Sequence, residues 1–261
     1  MITASNVELR FGARVLMSDV SFQVTKGDKI GLVGRNGAGK TTLTKMLAGA
    51  GGEPSAGSIV RTGEIGYLPQ DPKTGDLSIT ARDRILSARG LDDALRRMRK
   101  AEVEMASADS ALAEDAMRRY SRADADFGAG GGYAAEAEAA TISHALGLPD
   151  RVLQQPLQTL SGGQRRRIEL ARILFSDADT MLLDEPTNHL DADSVTWLRG
   201  FLQTYSGGLI IISHDVELVE ETVNKVFYLD GNRATIDIYN MGWKHYLRQR
   251  EADEARRKRE R

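Results

Sequence analysis

The chain opens with two segments in which apolar and polar residues alternate, at residues 7–11 and 20–24. Strict alternation predicts strands that bury one face. Three later runs, at residues 29–33, 180–185 and 208–212, are mainly apolar. Such runs are typical of parallel strands that are buried on both faces. The pattern therefore predicts an α/β protein in which antiparallel strands accompany a parallel core sheet.

The helical pattern is concentrated in the middle of the chain. Leucine and methionine recur at heptad spacing there, at Leu91, Met98, Met105 and Leu112. This spacing places them on one face and predicts one long helix over residues 91–127. A second helical stretch, residues 133–146, is followed by glycine and proline. We interpret residues 78–158 as an inserted, mostly helical subdomain.

The composition narrows the class of protein. The 261 residues are 41% hydrophobic and 28% charged, with a formal net charge of -2 and no cysteine. Disulfides and thiolate zinc sites are thereby excluded, and the four histidines show no metal-ligand spacing. No apolar run is long enough to span a bilayer, and the first residues begin a strand-like pattern rather than a signal peptide. We expect a soluble cytoplasmic protein.

A phosphate-binding loop of the pattern G-x-x-x-x-G-K-[ST] runs from Gly34 to Thr41. The strand before it and the helix after it would direct several backbone N–H groups and a helix N-terminus at one point. Lys40 is expected to reach the β- and γ-phosphates, and the Thr41 hydroxyl to ligate Mg²⁺. The full match in this context predicts that the chain binds a nucleoside triphosphate. The expected contacts are Gly34, Asn36, Gly37, Ala38, Gly39, Lys40, Thr41 and Thr42.

Three other features carry candidate chemistry. Residues 161–164, Ser-Gly-Gly-Gln, open an amphipathic helix, where they could bind an anion or simply cap the helix. Asp184 and Glu185 end a predicted central strand, and ligands of open α/β sheets bind at such strand ends. The ring of Phe11 could stack on a nucleotide base, although the pattern alone favours a core aromatic residue.

In order and spacing, these motifs resemble the nucleotide-binding domain of ATP-binding-cassette (ABC) proteins. The matching segments are residues 34–42, Gln70, residues 160–164, residues 181–185 and His214. The resemblance extends to about residue 240. It implies an α/β fold with a phosphate-loop core sheet, an antiparallel β-subdomain and an inserted helical subdomain. Residues 184–191, Asp-Glu-Pro-Thr-Asn-His-Leu-Asp, resemble the ABC-F subgroup, whose members act on ribosomes.

The resemblance implies roles for the catalytic residues. Glu185 would polarise the attacking water as the general base, and His214 would contact the γ-phosphate. Gln70 would touch both the metal and that water. Together with ATP, the residues Thr41, Gln70 and Asp184 would hold Mg²⁺.

Other implied roles concern the adenine base and a partner domain. Phe11 stands where the family places its adenine-stacking aromatic residue, which reverses the interpretation from the pattern alone. Asp191 would lie in the loop that links two sites. The signature residues would complete the site of a partner domain, and they are Ser161, Gly162, Gly163 and Gln164.

We divide the chain into four segments on this basis. Residues 1–77 would form the antiparallel β-subdomain and the phosphate-loop part of the core, and residues 78–158 the helical insert. Residues 159–240 would complete the core, and residues 241–261 would begin a basic interdomain linker helix. Because ABC-F proteins normally carry two nucleotide-binding domains, we expect a piece of a longer protein or a chain that pairs as a homodimer, with weak hydrolysis alone.

The expected function is that of an ATP-binding and ATP-hydrolysing ABC-F domain that acts on the ribosome, as a translation factor or in ribosome protection. The expected partners are a second nucleotide-binding domain and ribosomal RNA, without membrane insertion. The alternative is the ATPase subunit of an ABC membrane transporter, which would need a separate membrane subunit. A non-catalytic nucleotide-gated module is disfavoured, since it would have no use for a base at Glu185.

Overall fold

The structure is a computed structural model that describes residues 1–73 and 75–259. These residues form two compact units. The first, here called the core unit, contains Met1–Asp71, Ala178–Asn188 and the chain from Val195 onward. The second, the helical unit, contains Pro72–Asp177 and His189–Ser194. The division into four functional segments stays a prediction.

The described residues form nine strands, all within the core unit. They are β1 (Ile2–Phe11), β2 (Arg14–Val24), β3 (Lys29–Gly34), β4 (Ala56–Arg61), β5 (Ile65–Leu68), β6 (Thr180–Asp184), β7 (Gly208–Ile212), β8 (Lys225–Asp230) and β9 (Thr235–Tyr239). Ten α-helices accompany them. They are α1 (Lys40–Leu47), α2 (Ala81–Leu86), α3 (Leu91–Met105), α4 (Ser110–Ala129), α5 (Gly132–Ala145), α6 (Asp150–Leu153), α7 (Gly162–Phe175), α8 (Ala192–Thr204), α9 (Val216–Thr222) and α10 (Trp243–Arg259).

Two sheets make up the core unit. The antiparallel sheet has the strand order β2-β1-β4, and the main sheet has the order β5-β6-β7-β3-β8-β9. All neighbours in the main sheet are parallel except the β8–β9 hairpin. Every residue of β6 and β7 is buried, as their apolar runs predicted. The α/β fold with a phosphate-loop sheet and an antiparallel sheet is confirmed.

A shared hydrophobic core holds the two sheets together. Phe22 on β2 meets Phe227 on β8 edge to face, with ring centroids 5.1 Å apart. Leu43 and Leu47 on α1 are fully buried in the same cluster. Since buried side chains of this size each contribute about 1.5–3 kcal/mol, the core fixes α1 and its preceding loop firmly against the sheets.

The single helix predicted over residues 91–127 is wrong. The structure has two helices, α3 and α4, because the side chain of Asp109 accepts hydrogen bonds from the backbone N–H groups of Ala111 and Leu112, at 3.0 and 3.4 Å, and caps α4. Leu112 is 42% exposed, so the apolar repeat does not continue across the break. The two helices pack on each other as a hairpin, joined by an ion pair between Arg97 and Asp126 at 2.9 Å.

The last described element is the basic helix α10. It contacts α9 and β8, and its side chain Tyr246 is buried. Arg257 pairs with Asp237 on β9 at 3.3 Å, which ties the basic end of the helix to the hairpin. Residues 260 and 261 of the predicted linker lie outside the described residues. Among the residues that the structure describes, none of the helices has the length and apolar character needed to cross a membrane.

Candidate nucleotide-binding site

The phosphate loop connects β3, which lies between β7 and β8 in the main sheet, to α1. Two of its glycines are required, Gly34 by space and Gly39 mainly by its backbone conformation. A Cβ on Gly34 would lie 2.8 Å from the carbonyl oxygen of Leu229, and one on Gly39 would lie 2.9 Å from Cδ1 of Leu16. Gly39 also has a φ of 102°, in the region that favours glycine, and it is the N-cap residue directly before α1. The sequence thus folds the loop tightly around the N-terminus of a helix.

Lys40 is the first residue of α1, and its side chain folds back across the loop. Its ammonium nitrogen Nζ donates a hydrogen bond to the carbonyl oxygen of Gly34 at 2.7 Å. The charge is thereby held beside the backbone of the loop. An ammonium group and the N-terminus of a helix both attract phosphate, so the two contributions act at the same place.

A hydroxyl and a carboxylate meet where α1 approaches the end of β6. Thr41 Oγ1 donates a hydrogen bond to Asp184 Oδ2 at 3.0 Å, and Asp184 is only 1% exposed. Both groups offer the hard oxygen ligands that Mg²⁺ prefers, and Mg²⁺ is usually held by one or two carboxylates together with substrate phosphates. The pair therefore fits a magnesium site that nucleotide phosphates would complete.

The charge of Asp184 also affects the pKa of the neighbouring Tyr67, on β5. Burial and, secondly, the negative charge of Asp184 raise the pKa of Tyr67 to about 12. Its phenol therefore remains neutral at physiological pH and cannot serve as a base there.

Glu185 follows β6 and is held next to a histidine. Its backbone N–H donates to Ile212 O at 2.8 Å, and its φ of 51° is unusual for a residue other than glycine. Its carboxylate oxygen Oε1 lies 3.2 Å from His214 Nε2, and its Oε2 accepts from the His214 backbone N–H at 3.3 Å. The main chain and His214 thus fix the direction of this carboxylate, at some cost in backbone strain.

These groups open onto one cleft of about 600 Å³ in the core unit. The structure brings together most of the predicted nucleotide and catalytic residues in its lining. They are Phe11, Asn36, Gly37, Gly39, Lys40, Thr41, Thr42, Gln70, Asp184, Glu185 and His214. Phe11 is 72% exposed, so the interpretation as a core aromatic residue is wrong. Arg14, Leu16 and Ile212 also line the cleft and were missed by the sequence analysis.

The signature residues, 161–164, belong to the helical unit. Ser161 caps α7: its Oγ accepts from the Gln164 backbone N–H at 3.1 Å, while Gln164 Oε1 accepts from the Ser161 backbone N–H at 2.9 Å. Asp191 accepts from the Ser194 backbone N–H at 2.8 Å, and this hydrogen bond lowers the pKa of Asp191. The capping role of Ser161 is therefore present, and the role of these residues toward a partner stays a prediction.

Comparison with known proteins identifies the class. A family model described as ABC transporter matches residues 17–188, and the chain belongs to this family. It is an ABC ATPase domain of the ABC-F type, as its motifs predicted, and such domains bind ATP.

Several curated relatives match most of the chain. The putative ATP-binding protein YdiF of Bacillus subtilis is 37% identical over 97% of this chain. The tylosin resistance ATP-binding protein TlrC of Streptomyces fradiae is 35% identical over 98%. The energy-dependent translational throttle protein EttA of Haemophilus influenzae is 36% identical over 83%. The chain spans only 39%, 47% and 39% of the length of these three proteins.

Solved structures agree with the fold. An ATP-binding subunit of an ABC transporter superposes with a TM-score of 0.66 at 18% identity, covering 92% of this chain and 90% of that chain. A dimeric ATP-binding cassette in a post-hydrolysis state, bound to ADP and Pi, superposes with a TM-score of 0.62 at 18% identity, covering 92% and 98%. At this level of identity the likeness establishes the fold alone.

Proposed function

We propose that this chain binds Mg-ATP in its cleft and hydrolyses it as the ATPase domain of a ribosome-associated ABC-F protein. The observation that carries the proposal is the convergence, in one cleft, of the phosphate loop, the Thr41–Asp184 contact and the Glu185–His214 pair. Each supplies a different requirement of phosphoryl transfer: a cradle for phosphates, ligands for a metal and a base for water.

Binding comes from the loop and from the exposed aromatic residue. The backbone N–H groups of the loop, the N-terminus of α1 and Lys40 would hold the phosphates, and the ring of Phe11 would stack on adenine. Thr41 and Asp184, with Gln70, would hold Mg²⁺. The metal, when bound, neutralises part of the phosphate charge that grows in the transition state.

Catalysis requires a water molecule aimed at the γ-phosphate. Glu185 would orient this water and accept its proton, because its carboxylate lines the cleft and is fixed in direction. His214 sits beside that carboxylate with its ring 80% exposed, so it can also reach a γ-phosphate. Since the transition state is loose and highly charged, most of the rate enhancement would come from this positioning.

The partner would be a second nucleotide-binding domain, in a longer protein or in a homodimer. One of the solved structures with the same fold is a dimeric ATP-binding cassette, and ABC domains form dimers. Ser161 and the glycines beside it would then face the triphosphate held by the partner, with the N-terminus of α7 supplying positive potential.

The turnover per chain is expected to rise with protein concentration, because two chains would form the closed site. Gly162→Asp should remove this rise. A side chain at Gly162 has open space around it, so the variant should fold, but its carboxylate would face the phosphates of the partner. ATP affinity at low protein concentration is the control and should match wild type. Turnover that is independent of dilution in the wild type would contradict pairing.

Action on the ribosome is supported by the ABC-F type of the chain and by two relatives whose names refer to translation and to tylosin resistance. Glu185→Gln protein is expected to co-sediment with purified ribosomes in ATP and much less in ADP, because ATP that is not hydrolysed would keep the protein in the form that binds ribosomes.

A second variant tests the basic helix α10. Lys258→Glu combined with Arg259→Glu, at two exposed positions on α10, should weaken binding to RNA and lower the salt dependence of that binding.

The alternative function gives a different result in the same experiment. The ATPase subunit of an ABC membrane transporter, which the description of the family model also supports, would not sediment with ribosomes in either nucleotide. ATP-independent pelleting that is abolished by moderate salt would indicate only nonspecific attraction to RNA and would also count against the proposal.

A further inference from the structure

Arg14 is a cation in the cleft to which neither the motifs nor the family comparison assigns a role. It begins β2 directly opposite Phe11, the last residue of β1. Its side chain is exposed, and among the described residues it has no ion pair or hydrogen bond. Arg10, on the same hairpin, is instead paired with Glu8 at 2.6 Å. An unpaired arginine beside a phosphate loop is available for an anionic ligand.

The guanidinium group of Arg14 lies close to the phosphate loop. A Cβ placed on Gly231 would lie 3.4 Å from Arg14 Nη2 and 3.5 Å from Cα of Ala38, so both flank the same glycine. Arg14 lines the nucleotide cleft and also, together with Asn36 and Gly37, a smaller cavity of about 190 Å³ beside the loop. Its side chain therefore borders both the cleft that contains Phe11 and the part of the loop at Asn36 and Gly37.

A carboxylate, whose negative charge would repel phosphate, also faces that smaller cavity. Asp230 lines it, but this carboxylate accepts hydrogen bonds from the backbone N–H groups of Asn232 and Arg233, at 3.1 and 3.2 Å. It also lies 3.7 Å from the Arg233 guanidinium. Its charge is thus compensated locally, and the positive charge of Arg14 remains uncancelled at the loop.

We propose that Arg14 is a further nucleotide-binding residue, which contacts the portion of the phosphate chain that ADP and ATP share. This inference rests on the proposed function of the cleft. Phe11 would hold the base and Lys40 would reach the terminal phosphates, while Arg14 lies opposite Phe11 and would face the inner phosphates. The planar guanidinium suits phosphate oxygens, since it can donate two parallel hydrogen bonds to them.

Calorimetric titration with ADP and with ATP tests the role. Arg14→Ala is expected to weaken both nucleotides equally, by about 10- to 100-fold, as the loss of charge-assisted hydrogen bonds predicts. Arg14→Lys should recover part of the affinity, because it keeps the charge without the fork. Arg10→Ala, an arginine of the same hairpin whose guanidinium is already paired, is the matched control and should bind like wild type. The thermal midpoint of nucleotide-free Arg14→Ala should also match wild type.

Three results would overturn the inference. Unchanged affinity in Arg14→Ala would show that the guanidinium makes no contact, and a loss confined to ATP would place it at the γ-phosphate. A loss that accompanies a lowered midpoint of the nucleotide-free protein would indicate a structural role. A wild-type protein that binds neither nucleotide would contradict the proposed function itself, and would be recognised before any variant is compared.

Discussion

Glu185→Gln is expected to bind ATP as tightly as wild type and to hydrolyse it about 10²–10⁴-fold more slowly, the usual contribution of a general base. The amide keeps the size of the side chain and an oxygen that can accept from the His214 backbone N–H, but it cannot take a proton from water. Phosphate release measured under single-turnover conditions, at matched protein concentration, would give the ratio directly.

Glu53→Gln is the matched control for this experiment, since Glu53 is an exposed carboxylate of the core unit away from the cleft. It should hydrolyse ATP like the wild type. If Glu185→Gln retained full turnover, the assignment of Glu185 as the base would be wrong, and another group would have to activate the water.

Lys40→Ala is expected to weaken ATP binding by about 100-fold, because it removes a charge-assisted contact to the phosphates and the hydrogen bond that spans the loop. The loss should be larger for ATP than for ADP, since the ammonium would reach the terminal phosphates. Competition with a fluorescent ATP analogue measures both affinities.

Lys45→Ala provides the comparison. Lys45 is exposed and lies on the same helix, in its last turn, so this variant removes an equal charge without touching the loop. It should retain wild-type affinity. An equal loss in the two variants would mean that the general charge of α1, rather than a contact by Lys40, governs binding.

The elements that position the cleft could be predicted from the sequence because each carries a local signal. The buried runs of β6 and β7 are mainly apolar, and the loop glycines match the spacing of a phosphate-binding loop. Asp184 and Glu185 could be placed at the end of a central strand for the same reason. The direct contacts of Asp184 with Thr41 and of Glu185 with His214 could not be predicted in this way, since they depend on the order of strands in the sheet.

The errors also have physical causes. The heptad spacing of Leu91 to Leu112 suggested one helix. Such a spacing carries no information about helix caps, and Asp109 caps the start of a second helix within this range. Phe11 was ambiguous because an exposed aromatic residue and a buried one look alike in a sequence. Arg14 was missed since a single arginine has no pattern, and its position became evident only when the β1–β2 hairpin placed it opposite Phe11.

The most direct test of the account is an isothermal titration of the wild-type protein with ATP, in the presence and in the absence of Mg²⁺. We expect one site per chain, with tighter binding when Mg²⁺ is present, because Thr41 and Asp184 would hold the metal and its charge would favour the phosphates. No heat of binding in either condition, from a protein that is folded by circular dichroism, would contradict the account, because the cleft would then not be a nucleotide site.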